Sequence, residues 1–126
     1  MNYDNLKWLK DGDVEIHLVH GGTDDDTRAM LLRVQPGTVI GKHHHHGEVH
    51  VWGISGTREI LEDGRIVGPG DYVYEPAGNT DSWRVVGDEP AIVFLTARGA
   101  LEYLDDAGNV KKRSTTGSVT TAFSKL

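Results

Sequence analysis

Gly37-Thr38-Val39-Ile40-Gly41-Lys42-His43-His44-His45-His46-Gly47-Glu48-Val49-His50 is the stretch on which the reading of this chain turns. Five of the seven histidines lie in its last eight positions. In a strand, successive side chains alternate between faces, so His43 and His45 project together and His44 and His46 project the other way. Two neutral imidazoles converging from one strand begin a transition-metal site. The run sits inside the chain, between Gly41-Lys42 and Gly47, which sets it apart from an expression tag. Glycines at both ends place a turn after the histidines, with Val49 starting a return strand.

Working outward, short β-rich runs recur between turn residues. They are Val14–Val19, Met30–Val34, Thr38–His45, Val49–Ser55, Thr57–Leu61, Arg65–Val67, Asp71–Glu75, Ser82–Val86, Ala91–Thr96 and Val110–Arg113. Pro36-Gly37, Glu62-Asp63-Gly64, Gly68-Pro69-Gly70 and Gly87-Asp88 punctuate them. Strands at this spacing predict an all-β, antiparallel sandwich or barrel. No segment carries a sustained helical period. A short helical turn is expected near Leu101–Leu104 or in the last ten residues, and the Ser/Thr-rich tail from Ser114 is expected to be loosely ordered.

The 126 residues suit one domain, 1–126, with no internal repeat and no linker composition. Cysteine is absent, which excludes disulfides, thiolate metal sites and cysteine nucleophiles, so a metal here must use nitrogen and oxygen ligands. The net charge of −6, with no basic stripe beyond Lys111-Lys112-Arg113, argues against a nucleic-acid partner. No apolar run approaches a membrane span, and the first residues contain no signal-peptide core. The expected location is cytoplasmic, or peroxisomal if the closing Ser124-Lys125-Leu126 is a genuine address. Exposed edge strands make a homodimer the expected assembly.

A second glycine-punctuated block, Gly70 to Trp83, holds a strand ending in a Pro76-Ala77-Gly78 turn, after which Asp81 opens another strand. Two histidines and one carboxylate, with positions left open, suit non-haem Fe(II) and O₂; zinc can use a similar set. Asp81 also fits a simpler role, capping backbone N–H groups where a strand begins.

These two blocks resemble the paired motifs of the cupin superfamily. Gly37, His43, His45, Val49 and Gly56 fall at the spacings of the first motif, over 37–56. Gly70, Pro76, Gly78, Asp81 and Val85 fall at those of the second, over 70–85. The resemblance implies a single-domain cupin, a small antiparallel β-barrel or jelly roll. The words His43 to His50, Gly56 and Tyr74-Glu75-Pro76-Ala77-Gly78 are similar to the 2,4'-dihydroxyacetophenone dioxygenases and the acetylacetone (β-diketone) dioxygenases. That likeness implies Fe(II) and O₂-dependent cleavage of a carbon–carbon bond beside a carbonyl. In that subgroup the motif-one glutamate is absent, as it is here at Val49. This chain departs from it at Asp81, where the pattern has a third histidine.

The expected metal ligands are therefore His43, His45 and Asp81, holding Fe(II), with zinc, nickel or manganese as alternatives. Glu75 should face inward with Val73 and either orient a ligand histidine or accept a proton from substrate. His50 can line the cavity mouth or sit in a surface hydrogen bond; it is expected near the site because the resembling family often has histidine there. His44 and His46 read as solvated, His17 and His20 as without a role, and Glu62 and Asp63 as fallback carboxylates on an exposed hairpin. Trp52, Trp83 and Tyr74 read as packing residues, one of which can line a pocket. Three functions remain open: a small-molecule oxygenase, a non-redox lyase, isomerase or cyclase using the ion as Lewis acid, and a non-catalytic small-molecule-binding cupin.

Overall fold

The fold is described from a computed structural model over residues 2–22 and 24–126. Among the described residues, twelve strands and one helix follow a short 3₁₀ turn at Tyr3–Asn5. The strands are β1 (Leu9–Asp11), β2 (Val14–Gly21), β3 (Thr27–Val34), β4 (Val39–His45), β5 (Val49–Ser55), β6 (Thr57–Ile60), β7 (Ile66–Val67), β8 (Tyr72–Glu75), β9 (Thr80–Val86), β10 (Ala91–Arg98), β11 (Leu101–Leu104) and β12 (Val110–Ser114). They form two six-stranded sheets, ordered β1-β2-β3-β10-β5-β8 and β12-β11-β4-β9-β6-β7. All strand pairings are antiparallel, which is the expected all-β class.

The inner faces follow from period-two alternation. In β10, Val93, Leu95 and Ala97 are buried; in β5, Val49 and Val51; in β8, Val73 and Glu75. Register then aligns them across the sheet: Val51 stands opposite Leu95 on one side and Val73 on the other, and Leu95 opposite Met30. Each such aliphatic side chain, fully buried, contributes about 1.5–3 kcal/mol relative to exposure. Gly56 sits between β5 and β6 with φ +72°, and a Cβ there would lie 2.3 Å from the Pro90 carbonyl. Only glycine permits that turn and that approach.

Two local expectations are corrected. Leu101–Leu104 is a strand, not a helical turn: it pairs with β4 through Leu101 opposite His45 and Tyr103 opposite His43. The helix lies at the other expected place, in the last ten residues: the tail expected to be loosely ordered is ordered as helix α1 (Thr116–Ser124). Thr115 and Ser118 form a reciprocal capping box, and Val119 buries itself in the core. The Ser and Thr that looked disordering are the cap. Among the described residues, no helix is long and apolar enough to cross a membrane.

Candidate metal centre

A bulge in β4 decides which histidines face inward. Ile40 stands opposite Trp83 and His43 opposite Asp81, so three steps on β4 match two on β9. The extra residue, at Gly41-Lys42, switches parity. Ile40 is buried before it; His43 and His45 are buried after it. Unbroken alternation would instead have put Val39 inward, and Val39 is exposed. The bulge also aims the Gly41 carbonyl at its own histidine, 2.8 Å from His43 Nδ1. A carbonyl only accepts, so Nδ1 carries the proton and donates, leaving Nε2 to face the cavity.

Asp81 is the second residue of β9, three places after Gly78 of the Pro76–Gly78 turn. Gly78 takes φ +87°, and its N–H donates to the His45 carbonyl at 2.7 Å. The His45 N–H donates to Asn79 O at 2.8 Å, so backbone bonds clamp the turn to the histidine strand. Asp81 Oδ1 then lies 2.8 Å from His43 Nε2 and 2.9 Å from His45 Nε2. All three residues are buried. Burial works to raise the Asp81 carboxyl, but hydrogen bonds and charge from the two imidazoles hold it well below its ordinary value. Burial likewise works against a charged His43, yet Asp81, the Gly41 carbonyl and Glu75 together lift that imidazole above its ordinary value.

This donor set fits a divalent transition ion. The candidate ligand atoms of His43, His45 and Asp81 all lie within 4.8 Å of one another. Two donors each about 2.1 Å from an ion and at right angles are about 3 Å apart, close to both observed N···O separations. The anionic carboxylate and the two nitrogens supply the nitrogen and oxygen ligands that a cysteine-free site requires. The three side chains can therefore hold one metal ion.

Glu75 faces inward as its alternation requires and is buried. Burial and the Asp81 charge push it up to about 7, against a hydrogen bond donated by Asn79 Nδ2. It shares a cavity of about 80 Å³ with His43, His45 and Asp81, enough for several waters or one small organic molecule. Val49, Val51, Val73 and Leu95 line its walls and Trp83 contributes an aromatic face.

His50 is not brought to the site. It stands on the outer face of β5, where Nδ1 pairs with the Tyr72 hydroxyl at 2.6 Å and the ring stacks with Trp52 and Tyr72. Its parity explains this, since Val49 and Val51 on either side face inward. Trp52 and Tyr74 belong to the same exposed outer face, while Trp83 alone of the three reaches the cavity. His44 and His46 face outward, His44 to Thr80 Oγ1 and His46 to Glu102. His17 bonds the Lys7 carbonyl far from the site. Glu62 is exposed at its carboxylate hairpin and accepts from Ser82 N and Oγ, whereas Asp63 pairs with Arg65.

Among the cavity residues that the sequence reading missed are Arg28, Arg58 and Tyr103. Arg58 carried a usable signal. With Ile60 inward, period two puts Arg58 inward as well, and both are buried. Tyr103 was lost with the misread strand; its ring packs 5.5 Å from that of His43, and burial pushes its phenol up to about 12.

Comparisons agree with this architecture. An RmlC-like cupin protein from Ralstonia eutropha JMP134 superposes with a TM-score of 0.89 at 22% identity, over 98% of this chain and 83% of that one. An acetylacetone dioxygenase from Acinetobacter johnsonii superposes with a TM-score of 0.84 at 18% identity, over 99% of this chain and 89% of that one. The structure of Rhodobacter sphaeroides SigE in complex with the anti-sigma ChrR matches with a TM-score of 0.66 at 16% identity, over 76% of this chain and 51% of that one. At these identities the likeness is one of fold. No curated protein matches the chain. Residues 1–102 match the family described as the ChrR cupin-like domain, and with its two sheets, its paired motifs and that match the chain belongs to this cupin family.

Proposed function

We propose that the protein is a metal-dependent oxygenase that cleaves a carbon–carbon bond beside a carbonyl in a small ketone or β-dicarbonyl. The observation that carries the reading is the approach of two histidine Nε2 atoms to one Asp81 oxygen, at 2.8 and 2.9 Å, inside an apolar-walled cavity. Two imidazoles and a carboxylate with further positions open form the donor set suited to Fe(II) and O₂. An Fe(II) ion held there would supply dioxygen activation and a Lewis-acid contact for the substrate's carbonyl oxygens. The likeness to an acetylacetone dioxygenase supports the substrate class through the fold alone.

The chain's own residues then have separable tasks. Gly41 O fixes the His43 ring by accepting from Nδ1, so Nε2 points to the ion. Asp81 contributes negative charge. Glu75, with a proton affinity near neutrality, removes the acidic proton from the carbon between two carbonyls. Val49, Val51 and Val73 keep bulk water from the reacting carbon. One β-dicarbonyl and one O₂ balance to a carboxylic acid and a shorter dicarbonyl, with no external reductant.

The test is anaerobic loading with Fe(II), followed by O₂ with β-diketones and hydroxyaryl ketones. Stoichiometric O₂ uptake with either class supports the reading; no uptake with any member of both classes contradicts it. The carboxylate ligand favours one second reading, a non-redox lyase or isomerase, which would turn over without O₂ on zinc, nickel or manganese.

A further inference from the structure

Two arginines are buried in the wall of the candidate site. Arg28 is 2% exposed and Arg58 is 6% exposed, and both line the cavity that His43, His45 and Asp81 share. Among the described residues, neither lies within ion-pair distance of a carboxylate. Arg28 donates from one terminal nitrogen to Gly99 O at 2.9 Å and Thr116 Oγ1 at 3.2 Å, and its buried Nε has no partner. The Arg58 side chain makes no hydrogen bond among the described residues; its guanidinium sits over the Trp83 ring, 4.8 Å from the centroid.

Burying an unpaired cation is costly, so such a group is retained where something compensates it. The chain's own carboxylates do not do so by contact. Asp81 is committed to the two imidazoles, Glu75 is hydrogen-bonded to Asn79, and Asp11, which also lines the cavity, is paired with Lys112. Arg28, Arg58 and the exposed Arg98 line the cavity against Asp81, Glu75 and the Lys112-paired Asp11, and a divalent ion at the triad leaves it with excess positive charge. A guanidinium offers a planar fork that matches a carboxylate through two parallel hydrogen bonds. The Arg58 fork lies over Trp83, two residues along β9 from Asp81.

We infer that the cavity selects a small organic anion, a keto acid or comparable carboxylate, whose carboxylate is received by Arg58, with Arg28 adding positive charge, while its carbonyl end meets the His43–His45–Asp81 centre. The inference deepens the oxygenase reading and rests on it for the orientation of the ligand. Neutral diketones and hydroxyaryl ketones would then be poorer ligands than acids of the same shape. The cavity volume of about 80 Å³ limits the acid to a short chain.

The test is calorimetric binding of acetoacetate and of its neutral, isosteric amide, acetoacetamide, to wild-type protein loaded with zinc and again after chelation. Acetoacetate should bind at least about tenfold more tightly than the amide in both forms, the scale of a charge-assisted hydrogen bond. Arg58→Met should abolish the difference, and Arg58→Lys should keep part of it. Equal binding of acid and amide to wild-type protein overturns the inference, as does a full preference surviving in folded Arg58→Met. If Arg58→Met does not fold, the wild-type pair and Arg58→Lys still decide. A chain that takes up no metal yet prefers the acid through Arg58 loses only the oxygenase reading. One that consumes O₂ with neutral diketones but shows no acid preference loses only this inference.

Discussion

Oδ1 of Asp81 lies 2.8 Å from Nε2 of His43, whose other ring nitrogen is already committed to the Gly41 carbonyl. A neutral His43 in that tautomer turns a lone pair toward a carboxylate oxygen. The contact is attractive only if a proton or a metal cation lies between them. The β4 bulge and the Gly78 turn bring these two residues together from different strands, so the convergence is a property of the backbone.

Ligand substitution follows directly. His43→Ala and His45→Ala should each lower metal affinity by more than the roughly 10–100-fold that loss of an outer hydrogen-bond partner costs. The readout is elemental analysis of protein purified without metal-affinity chromatography. Asp81→His should keep or raise iron occupancy, because imidazole replaces one donor with another; loss of iron in that variant would contradict direct ligation.

Glu75→Gln separates a proton acceptor from a structural carboxylate. The amide keeps the shape and still bonds Asn79, but it cannot take a proton. Metal content should stay constant while kcat falls about 10²–10⁴-fold, the range for general base catalysis. A parallel fall in metal content would move Glu75 into a ligand-orienting role.

Stability should depend on pH through Glu15. The hydrogen bonds from Arg33, at 3.0 and 3.1 Å, hold its carboxyl below the ordinary value, outweighing burial. A depressed carboxyl contributes stability that is fully present above its unfolded-state value and is lost as pH falls through the folded-state value. Urea midpoints should therefore drop on acidification below about pH 4.3, and Glu15→Gln should flatten that acid limb while lowering stability at neutral pH.

Helix α1 should depend on its cap. Thr115→Ala removes the acceptor for the Ser118 N–H, which is bonded at 3.0 Å. It should cost about 1 kcal/mol in chemical unfolding. Because Val119 sits in the core and Thr116 accepts from Arg28, the variant should also loosen the cavity wall. Faster amide exchange in α1 with an unchanged midpoint would show that the helix is not coupled to the core.

Much of this arrangement was legible in the residues. Alternation and turn spacing identified ten of the strands, and the paired glycine–histidine blocks placed His43, His45, Glu75 and Asp81 on inner faces, where they lie. What was not legible depends on non-local pairing. Leu101–Leu104 is too short for its alternation to stand out, and it becomes a strand by pairing with β4 and β12. The bulge at Gly41-Lys42 leaves no mark except a glycine. His50 was placed by family likeness against its own parity, and the parity was the better guide. Arg58 was overlooked because a charged residue in a strand reads as exposed, although Ile60 two places on argued otherwise.

The most direct measurement is an anomalous-scattering map from crystals of protein loaded with Fe(II) under anaerobic conditions. One metal peak should sit about 2.0–2.2 Å from His43 Nε2, His45 Nε2 and an Asp81 carboxylate oxygen together. A peak on the outward His44 and His46, or none in the shared cavity, would contradict the account.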